Sequence, residues 1–105
     1  MIRVIIERQA KEGVRLLALL RDIRAEAMKQ PGYISGETLV NTDDNSDIIV
    51  ISTWQNLKDW KAWEASEARA KLDKQIKPLL TEKAKVRTYR YLSYRKTNGE
   101  DVGTS

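Results

Sequence analysis

Two hydrophobic periods alternate along this chain and together predict the order of its elements. Apolar residues fill every second position of residues 2–7, which predicts a strand with one strongly apolar face. After Gly13 the apolar positions recur every three or four residues, as on one face of a helix: Leu16, Leu20, Ile23 and Ala27. Pro31 and Gly32 end this predicted helix, because proline removes a backbone donor and glycine permits a tight turn.

The remaining pattern predicts three more strands and a second helical region. Residues 33–41 and 47–54 are predicted strands joined by a polar turn. The second of these is apolar on both faces, which is typical of a central strand. A helical region is predicted over residues 57–78, with a bend at Ser66, and a last strand over residues 84–94.

The predicted order β-α-β-β-α-β is that of an α+β, ferredoxin-like fold. With right-handed crossovers it gives one antiparallel sheet with helices on one face. The other face is still apolar in places, and its candidates are Ile5, Leu39, Ile49, Ile51, Tyr89 and Tyr91. Because an uncovered apolar face is typical of an interface, we expect a homodimer that packs sheet against sheet. We assign residues 1–95 to this domain and residues 96–105 to a polar, frayed C-terminal tail.

Composition narrows the possible chemistry. The chain has 105 residues, enough for one domain, and contains neither cysteine nor histidine. These absences remove thiolate nucleophiles, zinc–sulfur sites and the usual general base, and no metal-ligand spacing is present. The first residues are too few and too charged for a signal peptide, and no apolar run is long enough to span a membrane. We therefore expect a cytoplasmic protein that binds no metal and no membrane.

The net charge of +4 raises the alternative of nucleic-acid binding. Basic residues are densest towards the C-terminus, where Tyr89, Tyr91 and Tyr94 interleave with them. Stacking aromatics along a basic stripe are typical of a nucleic-acid groove. A solvated strand edge is the commoner origin of such a pattern, so we expect no nucleic-acid partner.

All three tryptophans lie within ten positions, at Trp54, Trp60 and Trp63. The sequence around them, together with Pro31-Gly32-Tyr33-Ile34-Ser35-Gly36-Glu37, resembles the antibiotic biosynthesis monooxygenase family. The resemblance covers roughly residues 2–93. It implies a dimeric α+β barrel built from ferredoxin-like protomers, with a cavity between the sheet and the helices of each protomer.

Family members include cofactor-independent oxygenases of polycyclic phenols and haem-degrading enzymes. In the haem-degrading branch, the resemblance aligns a functional tryptophan with Trp63, an asparagine with a position near Glu7 and a histidine with Asp73. Two of these three residue types are therefore missing. The resemblance thus argues against haem degradation and leaves oxygenation without a cofactor as the expected chemistry.

Such an oxygenase needs an apolar cavity, a base or acceptor, and a group that stabilises the substrate anion. We predict Trp63, Glu37 and Arg69 as catalytic residues. We predict Trp63, Trp60, Tyr33 and Arg87 as substrate-binding residues. For the tryptophans, the simpler alternative is core packing, and we expect Trp54 at a strand end or at the dimer interface. For Glu37, Arg69 and Arg87 the alternative is ordinary surface pairing.

Two functions remain open from the sequence. The first is a monooxygenase that acts on a small phenolic or hydroquinone-like substrate with O₂. The second is a non-catalytic dimer that binds a small hydrophobic ligand on the same scaffold. A cavity too small for an aromatic ring would count against both.

Overall fold

The computed structural model describes residues 1–92, 95–97 and 100–102. In chain order its elements are β1 (Ile2–Gln9), α1 (Gly13–Ala27), β2 (Tyr33–Val40), β3 (Asp47–Trp54), α2 (Leu57–Glu64), α3 (Glu67–Ile76), β4 (Lys85–Arg90), β5 (Arg95–Thr97) and β6 (Glu100–Val102). Among the described residues, no helix is long and apolar enough to cross a membrane.

The main sheet has the strand order β2-β3-β1-β4, and every neighbouring pair is antiparallel. Both crossover connections are helical and lie on one face of this sheet. The predicted α+β, ferredoxin-like arrangement is therefore confirmed. The central strands β1 and β3 supply the buried apolar residues of the sheet.

The core lies between the sheet and the helices. The strict alternation of β1 buries every second side chain, so Ile2, Val4 and Ile6 point to the helices. The predicted apolar stripe of α1 meets them: Leu16, Leu20, Ile23 and Ala27 are all buried. Ile48 from β3 and Ile76 from α3 complete this apolar layer. Burying such side chains supplies most of the stabilisation of a domain of this size.

The predicted second helical region is divided where the sequence suggested a bend. Ser66 is the N-cap of α3, and its hydroxyl accepts a hydrogen bond from the Arg69 backbone N–H at 3.2 Å. The same hydroxyl donates to the carbonyl of Trp63 at the end of α2, at 2.8 Å. A side chain that caps one helix and closes the preceding one favours a break over a continuous helix. Pro78 lies in a short 3₁₀ turn after α3.

The C-terminal region differs from the prediction in two ways. The fourth strand ends at Arg90, and β5 pairs with β6 as a separate antiparallel hairpin in the segment predicted as a polar tail. Tyr94 lies outside the described residues. Short pairing of this kind leaves no apolar pattern in the sequence, so the periodicity could not predict it.

The face of the sheet opposite the helices is called the open face below. By register it carries the odd-numbered residues of the strands except Tyr33, which a register shift before Ser35 pairs with Trp54. Its apolar members are Ile5, Leu39, Ile49, Ile51 and Tyr89. Within the described residues no helix covers it. Leu39 is 47% exposed and Tyr89 is 51% exposed.

Candidate functional site

A small cavity lies between the helix-covered face of the sheet and the helices, and we call it the inner cavity. Its volume is about 50 Å³. Its walls combine the aromatic side chains of Tyr33, Trp54, Trp60 and Trp63 with aliphatic residues from α1 and the sheet. A cavity of roughly 150 Å³ accepts benzene, whereas one water needs about 10–15 Å³. The inner cavity therefore has room for a diatomic molecule or a single substituent, but not for a ring. Taken alone, the predicted cavity between sheet and helices thus counts against both candidate functions, and either one requires a second space for the ring.

Trp54 helps to form the wall of this cavity and does not lie on the open face. Its even-numbered position on β3 points to the helices, and its indole N–H donates to the Ser52 hydroxyl at 3.0 Å. Its ring meets Tyr33 edge-on at 5.4 Å and Trp60 at 5.7 Å between centroids. The expectation that Trp54 lies at a strand end is therefore confirmed, because it is the last residue of β3, and the alternative of a dimer interface is not, because strand phase turns it to the helices.

Trp60 leaves a donor unused in the wall of the inner cavity. Its Nε1 is buried and has no hydrogen-bond partner among the described residues. Buried donors are almost always paired, since an unpaired one costs about 1–3 kcal/mol. The indole of Trp54 follows that rule and the indole of Trp60 does not. The wall of the inner cavity therefore contains a buried indole donor that no described residue accepts from.

The sequence of α3 brings Arg69 to the same place. The Ser66 cap puts Arg69 in the first turn, and its side chain runs inward, with only 5% of the residue exposed. Its guanidinium carbon lies 5.3 Å from the Trp60 ring centroid and 5.9 Å from that of Trp63. Its Nε also donates to the Asp73 carboxylate at 3.1 and 3.3 Å. A guanidinium stacked on indoles is shielded from bulk water. Its charge therefore acts more strongly on nearby groups than it would in water.

Arg8 is a second buried guanidinium, and the sequence analysis did not predict it. It is 3% exposed, because its position on β1 continues the inward phase of Ile2, Val4 and Ile6. Within residues 1–92 it forms no ion pair or side-chain hydrogen bond, and its Nε is buried without a partner. Burial, followed by repulsion from Arg69, lowers the pKa of Arg8 from its ordinary value to about 10, and attraction to Asp73 only partly offsets this. At neutral pH Arg8 therefore still carries its charge, at a cost.

Both arginines also line a larger groove between α3 and β4, which we call the outer groove. Its volume is about 560 Å³, within the range of roughly 300–1,000 Å³ typical of small-molecule sites. Its apolar wall consists of Ile76, Leu80, Ala84 and Val86. Glu64, Asp73, Lys77, Glu82 and Lys83 supply its polar lining. Arg8 and Arg69 thus line both the inner cavity and the outer groove.

Gly36 holds Tyr33 against the inner cavity. A Cβ atom at Gly36 would lie 2.6 Å from the Tyr33 hydroxyl oxygen. The tyrosine ring therefore lies over Gly36, in the space that any other residue would fill with its own side chain. Both residues line the inner cavity. Gly36 therefore leaves room for the side chain of a neighbouring residue on the same strand.

The predicted site residues divide into two groups. Trp63, Trp60, Tyr33 and Arg69 come together around the inner cavity. Glu37 borders that cavity, but its carboxylate turns to the open face, where it lies 3.6 Å from Arg3 Nη2. Arg87 also lies on the open face, with its Nη1 3.1 Å from a Glu7 carboxylate oxygen. The structure therefore does not bring Glu37 and Arg87 together with the indoles.

The chain matches the family model for antibiotic biosynthesis monooxygenase over residues 1–74. The protein belongs to the antibiotic biosynthesis monooxygenase family. A comparison with curated protein sequences found no significant match. The family match spans β1 through most of α3, so it includes Arg8, the tryptophans and Arg69.

Solved structures share the same fold at low sequence identity. A cofactor-independent oxygenase from Streptomyces nogalater, SnoaB, superposes with a TM-score of 0.80 at 14% identity, over 94% of this chain and 97% of that one. A conserved protein from Methanosarcina mazei gives a TM-score of 0.79 at 19% identity, over 85% and 90%. Rv0793 from Mycobacterium tuberculosis gives 0.78 at 17%, over 88% and 95%. At these identities the comparison shows the fold.

Proposed function

We propose that this protein is a cofactor-independent monooxygenase that oxidises an electron-rich phenolic or hydroquinone-like substrate with O₂. The observation that carries the proposal is the unpaired N–H of Trp60 beside the Arg69 guanidinium, in a cavity too small for a ring. A fixed donor and a cation in a chamber shielded from water stabilise negative charge as it develops. Dioxygen acquires such charge when it accepts an electron.

In this proposal the inner cavity takes O₂ and the outer groove takes the rings of the substrate. The cavity volume of about 50 Å³ excludes an aromatic ring, and the groove of about 560 Å³ admits several. Arg69 lines both spaces, so the reacting carbon would lie next to it. Trp63 and Tyr33 are walls that hold dioxygen close to that carbon.

The substrate supplies all of the electrons. For an anthrone-type substrate, the phenolic tautomer loses a proton to water at the rim of the groove, and Arg69 stabilises the resulting anion. The anion passes one electron to O₂, and the radical and superoxide combine to form a carbon–oxygen bond. The protonated peroxide then loses water, which leaves a carbonyl where the CH₂ group was. One oxygen atom enters the product, the other becomes water, and the four electrons come from the reacting carbon.

Oxygen uptake by the purified protein tests this proposal. Anthrone- and hydroquinone-type compounds are supplied under ¹⁸O₂, and the product is analysed by mass spectrometry for one labelled oxygen atom. Trp60→Phe keeps the ring and removes the free donor, so we expect kcat to fall about 100-fold with little change in KM. Trp63→Phe removes an N–H that is not among the buried unpaired donors and should cost less. Uptake no faster than in buffer for every compound would refute the proposal.

A non-catalytic ligand-binding protein is the second candidate, and one observation favours it. The predicted catalytic carboxylate of Glu37 pairs with Arg3 on the open face, and the carboxylate of Glu7 pairs there with Arg87. Neither can therefore take a proton from a substrate in the groove. Under this alternative, aromatic compounds bind to the wild-type protein and are recovered unchanged after incubation in air.

We further propose that the open face forms a homodimer. Its support is the apolar surface of Ile5, Ile49 and Ile51, which no described helix covers. Light scattering should give a dimer for the wild type and a monomer for Ile51→Arg, because an unpaired charge in an apolar interface is costly. Leu57→Arg, on the helical side, is the control and should stay dimeric. A wild-type monomer at micromolar concentration would contradict this proposal.

A cytoplasmic location stays a prediction.

A further inference from the structure

The buried charge of Arg8 has no role in the oxygen chemistry above. Two guanidiniums, Arg8 and Arg69, line both spaces and face the single carboxylate of Asp73. Asp73 bonds to Arg69 and not to Arg8. The cluster thus keeps one uncompensated positive charge on a residue that is 3% exposed. A buried charge without a partner is costly, so its presence indicates a partner that arrives with the ligand.

The surroundings of Arg8 restrict that partner. Behind it, the outer groove has an apolar wall that includes Ile76, Leu80 and Val86. Towards the rim, Lys77, Glu82 and Lys83 are exposed, so water screens their charges, and Glu64 pairs with Lys61 at 3.3 Å. A ligand with one negative charge on an apolar body fits this groove. A doubly charged phosphate would carry more negative charge than the single uncompensated positive charge of Arg8. The planar fork of a guanidinium also matches the two oxygens of a carboxylate.

We propose that the outer groove binds an aromatic carboxylate, with the carboxylate on Arg8 and the rings against the apolar wall. This inference rests on the proposed function and names its substrate class: a phenol or hydroquinone that also carries a carboxylate. Arg8 fixes the orientation of such a molecule and leaves its reacting carbon beside Arg69. The lowered pKa of Arg8 agrees with this assignment, because a bound anion would offset the cost that burial and Arg69 impose on the charge.

The test compares two ligands of nearly equal shape by isothermal titration calorimetry without oxygen. 2-Naphthoate carries the carboxylate, and 2-naphthamide replaces it with a neutral amide. We expect the wild type to bind 2-naphthoate at least about tenfold more tightly, as expected for a hydrogen bond to a charged group. Arg8→Gln should abolish this preference, and Arg8→Lys should restore part of it. Arg15→Gln, an exposed residue of α1, should leave it unchanged.

Equal affinity of the wild type for the two ligands would overturn the proposal, and so would a preference that survives in Arg8→Gln. The wild-type comparison decides the matter even where a variant does not fold. Neither ligand is a phenol, so the titration does not depend on oxygen chemistry. A protein that prefers 2-naphthoate but consumes no oxygen would refute the proposed function alone. An active oxygenase without the preference would refute this inference alone.

Discussion

Replacing Arg8 by methionine should stabilise the ligand-free protein, although it removes a buried residue from the centre of the fold. The pKa of Arg8 falls well below its ordinary value, to about 10, mainly because burial disfavours its charge. One pKa unit is worth about 1.4 kcal/mol, so the charged form costs the folded state about 3 kcal/mol near neutral pH. Methionine keeps an unbranched apolar stem but loses some packing. We expect a net gain of about 1–2 kcal/mol in unfolding free energy, in line with other replacements of buried charges.

Urea unfolding at pH 7 measures this difference, and a thermal melt should show Arg8→Met melting several degrees higher. For a domain of this size 1 kcal/mol corresponds to roughly 4–8 °C. Arg15→Met is the control, because Arg15 is an exposed helix residue 3.8 Å from Glu12, and we expect a change within about 0.5 kcal/mol. A loss of more than about 1 kcal/mol in Arg8→Met would mean that the folded protein already compensates the charge of Arg8. The account of the site would then be wrong.

The pH dependence of the same pair of proteins provides a second readout. The folded-state pKa of Arg8, about 10, lies below its unfolded value, so the penalty is fully present below pH 10. As the pH rises above about 10, the folded wild type releases this proton before the unfolded chain does, and the penalty shrinks. The advantage of Arg8→Met over the wild type should therefore decrease above pH 10. A difference that grows over this range would contradict the assignment of the cost to burial of the charge.

Two further substitutions test the elements that hold the site. Gly36→Ala should lower the unfolding free energy by about 1–3 kcal/mol, because its Cβ would lie 2.6 Å from the Tyr33 hydroxyl. Gly13→Ala is the control and should leave the unfolding free energy unchanged, because its Cβ meets no atom closer than 3.7 Å. Equal effects of the two substitutions would contradict the tyrosine contact. Ser66→Ala should cost about 1 kcal/mol through loss of the N-cap above Arg69, measured by urea unfolding, and an unchanged midpoint would refute the capping role.

Much of the fold follows from hydrophobic period alone. The stripe of α1 and the alternation of β1 both predicted buried residues that the structure confirms. The break in the second helical region also followed from one residue, because Ser66 caps more favourably than it continues a helix.

The aromatic residues and Arg69 of the candidate site were predicted from the sequence, whereas Arg8 and the size of the inner cavity were not. Arg8 follows Ile6 by two positions on the same strand, so strand phase alone turns it inward, yet arginine is seldom buried. The same phase turns Glu37 and Arg87 to the open face. The size of the inner cavity depends on how four aromatic rings pack, and no sequence period reports it.

The most direct measurement of the central claim follows binding and oxidation in one sample. An anthrone-type compound bearing a carboxylate is bound to the protein without oxygen, and oxygen is then admitted in a stopped-flow cell. The wild type should convert the bound compound to its quinone faster than the free compound reacts in buffer. Trp60→Phe should bind it equally well and convert it about 100-fold more slowly. Oxidation at the rate of the free compound, or an equal rate in the variant, would contradict the assignment of this site.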